Sequence, residues 1–109
     1  PTIAYQYLVR GTGADVAITF LTEHGQVHRT VDVQWTSEEF LGTGESPVRI
    51  EAVGPPGSRV ECVARYRSVD GVYDGNGSGE SSQSASDPDE DQSRCALDQG
   101  SFSDSLPDG

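Results

Sequence analysis

The chain has 109 residues, 33% of them hydrophobic, and a net charge of −11 at neutral pH. That length suits one domain with a small core, and small cores often need a covalent staple. Its seven basic residues are all Arg and are not gathered into the patch that phosphate contacts require, which argues against nucleic acid as a partner.

Ile3–Val9 alternates as a strand does, with Ile3, Tyr5, Tyr7 and Val9 on one face and Gln6 and Arg10 on the other. Gly11-Thr12-Gly13 ends it. Asp15–Thr22 follows with Val16, Ile18 and Phe20 as the inner row, and Glu23–Gln26 reads as a four-residue turn. Val27–Trp35 places Val27, Val31, Val33 and Trp35 on one side, Arg29 being the intruder, with His28, Thr30, Asp32 and Gln34 opposite. Thr36–Ser46 is less regular. Ser37 could cap one helical turn there, but a wandering edge segment is the favoured reading. Pro47–Val53 resumes the alternation, and Gly54-Pro55-Pro56-Gly57 is a firm turn.

Arg59–Val72 reads as the central strand. Val60, Cys62, Ala64 and Tyr66 fall on its inner face; Arg59, Glu61, Arg65 and Arg67 form a solvated outer face, with Val63 the exception. Asp70-Gly71 suits a two-residue type I′ turn. Short links and no long helix predict an all-β fold: an antiparallel β-sandwich, immunoglobulin-like, of about seven strands.

The composition then changes. Residues 1–69 hold six Arg against eight acids, and residues 70–109 one Arg against ten. Residues 74–93 lack any aliphatic side chain larger than Ala85, so a long acidic flexible loop is expected there. The sandwich therefore spans 1–73 plus 94–100, with Cys95-Ala96-Leu97 docking as a strand, and 101–109 forms a frayed tail on which Phe102 could pack.

Two cysteines in a short, thin-cored chain predict one Cys62–Cys95 disulfide and an oxidising compartment. The alternative is a pair of reduced, unrelated thiols. No stretch reads as a membrane span. Strand-like sequence already at Pro1 leads us to expect a leader or membrane anchor upstream of it.

Asp74, Asn76, Ser78 and Glu80, with Gly79 between the last two, match the start of a calcium loop. The twelfth position is Ala85 where Glu is required, so Asp87, Asp89, Glu90 or Asp91 would have to complete the site; a solvated loop is the plainer reading. Trp35, Phe40 and Leu41 could form an apolar patch for a partner or lipid, against core packing as the default for the aromatic residues. His24 and His28 flank a turn without fixed further ligands. Glu38 and Glu39 point apart on any regular element, so an acid/base pair is unsupported. Asn76-Gly77-Ser78 is formally a glycosylation sequon.

Ile3 to Gly71 resembles the extracytoplasmic domain of the actinobacterial MmpS family, small membrane proteins that accompany MmpL transporters. The likeness rests on Tyr5–Phe20 (YQYLVRGTGADVAITF), the second hairpin at Gly25–Val33, the lone Trp35, and Val60–Gly71 with a second Cys near the end. The resemblance implies a small β-sandwich held outside the membrane by an N-terminal helix, without enzymatic activity, serving lipid or siderophore export. The long acidic insertion before Cys95 departs from that pattern. The expected function is thus a transporter-associated accessory domain. The alternative is a secreted or lipid-anchored ligand-binding module that takes calcium through the acidic loop.

Overall fold

The computed structural model describes residues 2–84 and 93–100. Among them are nine strands: β1 (Thr2–Thr12), β2 (Val16–Thr22), β3 (Gly25–Val31), β4 (Trp35–Thr36), β5 (Phe40–Thr43), β6 (Val48–Gly54), β7 (Arg59–Ser68), β8 (Ser78–Ser84) and β9 (Ser93–Gly100). All pairings are antiparallel. One sheet runs β4-β1-β7-β8, with β5 also on the outer side of β1; the other runs β3-β2-β6-β9. The two sheets pack as a β-sandwich.

The alternation in the sequence explains the core. Ile3, Tyr5, Tyr7 and Val9 from β1, Val60, Cys62, Ala64 and Tyr66 from β7, Val16, Ile18 and Phe20 from β2, and Val48, Ile50 and Ala52 from β6 form one buried cluster. β7 is central, flanked by β1 and β8. Cys62 on β7 and Cys95 on β9 are bonded, so the bridge runs from one sheet to the other through the core; they are 0% and 2% exposed. Tyr7 adds a polar tie: its hydroxyl donates to the Leu21 carbonyl (2.6 Å) and accepts from the Arg49 amide (3.3 Å). Burial pushes that hydroxyl well above its ordinary pKa. Gly11, one pair before the end of the β1–β7 ladder, has φ +127°, and a Cβ there would collide with the Arg59 carbonyl.

Several expectations are corrected. The turn after β7 is not type I′. Its central residues are Val69 and Asp70, closed by Gly71 N–H donating to the Ser68 carbonyl (2.9 Å), and neither Asp70 nor Gly71 has positive φ. The chain then wanders to residue 77 before turning back. The expected flexible loop over 74–93 fails at Ser78–Ser84, which is strand β8, paired with β7 from Arg67↔Ser78 to Glu61↔Ser84. Backbone hydrogen bonding holds this segment where side-chain hydrophobicity could not. The loop between β2 and β3 has two residues, Glu23 and His24, because Gly25 already pairs with Thr22. Ser37 caps no helix; its N–H donates to the Tyr7 carbonyl and its Oγ accepts from the Tyr7 amide. The segment holds the edge strand β5, in line with the edge reading. The tail at 101–109 lies outside the described residues.

Candidate functional site

The best-organised polar cluster lies on the outer face of the five-stranded sheet. Alternation turns Ala4, Gln6, Leu8 and Arg10 of β1 outward beside Arg67, Arg65, Val63 and Glu61 of β7. Ala4, Leu8 and Val63 are buried nevertheless. Above this apolar floor the arginines form a layer with carboxylates from three directions.

Arg67 makes a two-pronged pair with Glu39 (3.1 and 2.8 Å), and the Tyr73 hydroxyl donates to the same carboxylate (2.8 Å). Arg67 also donates to the carbonyls of Ser68, Val69 and Gly71, bracing the turn after β7. Arg65 lies over the Tyr73 ring at 4.2 Å, bonds Gln6 Oε1 through Nε and Nη2, and has Asp74 at 4.0 Å. Gln6 in turn donates to the Ser37 carbonyl (3.2 Å). Arg10 grips both oxygens of Glu80 on β8 (3.0 and 3.2 Å), with Glu61 at 3.7 Å. The face read as simply solvated is thus a fixed, charge-alternating layer.

Its electrostatics are fixed as well. Hydrogen bonds from Arg67 and Tyr73 hold the Glu39 carboxyl below its usual range. Burial, and next the bond to Glu39, push the Tyr73 hydroxyl above its own. Glu39 is thus held ionised and Tyr73 protonated, so neither is poised to exchange a proton near pH 7.

The calcium set divides. Asp74 sits at φ +63° in the turn, facing Arg65 at 4.0 Å. Ser78 is tied to Gly75, its Oγ donating to the carbonyl (2.6 Å) and accepting from the amide (3.0 Å). Glu80 is held by Arg10, and Asn76 is an exposed turn residue. Among the described residues no three His, Cys, Asp or Glu side chains gather as metal ligands. Ala85, Asp87, Asp89, Glu90 and Asp91 lie outside the described residues.

The Trp35, Phe40 and Leu41 patch also divides. Trp35 packs on Phe20 and Phe40 on Tyr5, each at 5.5 Å between ring centroids, so both fill the open side of the core. Leu41 points the other way and is 66% exposed. Arg29 closes that side, its guanidinium 5.6 Å from the Phe20 ring and 3.2 Å from Glu38. His28 Nδ1 is 2.9 Å from Thr19 Oγ1, and His24 is an exposed turn residue. The parts that Gln6 and Tyr73 play in the layer do not show in the sequence. A lone aromatic at Tyr73, close behind an arginine-bearing strand, is the one signal it offers.

Compared with known proteins, the chain matches no family model, no curated protein and no solved structure.

Proposed function

We propose that the chain is a non-enzymatic binding domain working outside the cytoplasm, an MmpS-like accessory to a membrane transporter of the MmpL kind. The observation that carries this reading is the arginine–carboxylate layer on β1, β7 and β8. It is a surface of paired charges in which Glu39 is held ionised and Tyr73 protonated. Such a surface suits recognition by electrostatic complementarity better than proton transfer. The buried inter-sheet disulfide is in keeping with an oxidising compartment.

The test is made in the organism that encodes the chain. A photo-crosslinking residue at Glu61, whose side chain is part-exposed within the layer, should trap a transporter polypeptide. Deleting the gene should impair lipid or siderophore export. Normal export in the deletion strain, or no adduct at Glu61 in envelope preparations, would sink the reading.

A further inference from the structure

The link between β7 and β8 holds three pairs in which an acid or its amide precedes a glycine: Asp70-Gly71, Asp74-Gly75 and Asn76-Gly77. Such pairs share a chemistry. The glycine's main-chain nitrogen can attack the side-chain carbonyl carbon of the residue before it and close a five-membered imide, and no Cβ on the glycine hinders the approach. Whether it does so depends on what holds the nitrogen and on what it attacks.

The fold treats the three pairs differently. Gly71 N–H donates to the Ser68 carbonyl (2.9 Å), and Gly75 N–H donates to Ser78 Oγ (3.0 Å). Each bond retains the proton that the nitrogen has to lose. Both pairs also offer a carboxylate, a poor electrophile. Neither restraint applies at Asn76-Gly77. Both residues are exposed, and among the described residues neither the Gly77 N–H nor the Asn76 side chain has a hydrogen-bond partner. The amide carbon of Asn76 is the better electrophile, with ammonia to lose. The glycine is fixed in place as well: Gly77 has φ +76°, and a Cβ on it would meet Ser68 Oγ at 2.6 Å. The turn into β8 thus demands the one residue that leaves ring closure unhindered.

We infer that Asn76 is a self-processing site, its side chain deamidating through the Gly77 nitrogen to isoaspartate, and that the product loosens the start of β8. The Gly77 nitrogen gives its proton to water and bonds to Asn76 Cγ; the Cγ–Nδ2 bond breaks, and ammonia leaves with a proton from solvent. Water then opens the imide. Opening at the original main-chain carbonyl leaves the chain running through Cγ, with one extra main-chain carbon and a new carboxylate. One water is consumed, one ammonia is released and no electrons are exchanged. A negative charge is added to a chain already at −11.

The extra carbon falls where the main chain engages β7. The Gly77 carbonyl accepts from Ser68 N–H (2.7 Å), and Ser78 pairs with Arg67 next to it. Lengthening the chain just before these groups shifts them against β7, beside the arginine that grips Glu39. The surface is therefore remodelled with age, without an enzyme. This inference is independent of the transporter reading.

Asn76 is the only Asn in the chain, so ageing the whole protein at neutral pH tests it cleanly. Over days to weeks the mass should rise by about 1 Da as an amide NH2 becomes OH. Fragmentation should place isoaspartate at position 76, in excess over aspartate, with Asp70 and Asp74 unchanged over the same period. Asn76→Gln keeps an exposed amide but would have to close a six-membered ring, and should deamidate at least tenfold more slowly. In the aged protein, Ser68 should lose at least tenfold in amide-exchange protection while Val63, in the middle of β7, keeps its own. An unchanged mass, conversion at 70–71 or 74–75 as fast as at 76, an equal rate in Asn76→Gln, or isoaspartate formed with Ser68 protection intact would overturn the inference.

Discussion

At the scale of single residues, Glu39 concentrates the outer layer's pH dependence. Its folded pKa lies below the ordinary value because Arg67 and Tyr73 donate to the carboxylate. The contribution of those bonds is complete above the unfolded pKa of about 4.3 and is lost as pH falls through the lower folded value. Tyr73 runs in the opposite sense: its raised pKa gives a contribution present below about pH 10 and lost as the hydroxyl ionises. Replacing Glu39 with Gln should therefore flatten the acid side. Between about pH 5 and about pH 3 the melting temperature of the wild type should fall further than that of E39Q. Equal falls would show that the Arg67–Glu39–Tyr73 bonds contribute nothing. Both partners are partly exposed, so the effect is modest.

At the scale of elements, β8 is the instructive strand. Its sequence, SGESSQS, has no apolar side chain beyond Gly79 to declare an inner face. Two things hold it: the ladder to β7 and the Arg10–Glu80 grip on the outer face. On the inner side, Gly79 pairs with Tyr66 and leaves room for its ring; a Cβ there would approach the Tyr66 ring to 2.5 Å. Gly79→Val should thus cost about 1–3 kcal/mol in chemical denaturation, the usual range for overpacking. If residues 78–84 were free chain, the substitution would be silent. The disulfide belongs to this scale too, tying β7 to β9 across a separation of 33 residues. The double variant Cys62→Ala, Cys95→Ala should lose about 2–4 kcal/mol. An unchanged denaturation midpoint would show that packing alone secures β9.

At the scale of the whole molecule, the body of the fold is legible in the sequence because burial on one face forces a period of two. That period alone puts Ile3, Tyr5, Tyr7 and Val9 in the core and turns Cys62 inward, where Cys95 meets it. What the sequence leaves hidden has a different physical origin. β8 is held by main-chain bonds, which any sequence without proline can make. Phe40 sits on the short strand β5, whose period is too short to reveal which way it faces, whereas Trp35 packs on the core as the alternation expected. Val63 is buried on an outward position in the middle of its sheet, between Leu8 of β1 and Ser82 of β8. The outer layer is half visible: its arginines declare themselves by alternation, but Glu39 reaches Arg67 from 28 residues away and Tyr73 folds back from the irregular stretch after β7.

The bridge between the sheets also governs what cleavage of the chain can accomplish. A single protease cut at any peptide bond between Cys62 and Cys95 leaves one cysteine on each fragment, and the fragments remain one covalent molecule. Nicked protein should migrate as two bands only after reduction. With β9 still bonded to β7 through the core, it should also melt as one body. Cleavage inside the acidic residues 85–92 would then trim or open the connection without releasing a strand, so processing there could remodel the acidic surface while the sandwich stays whole.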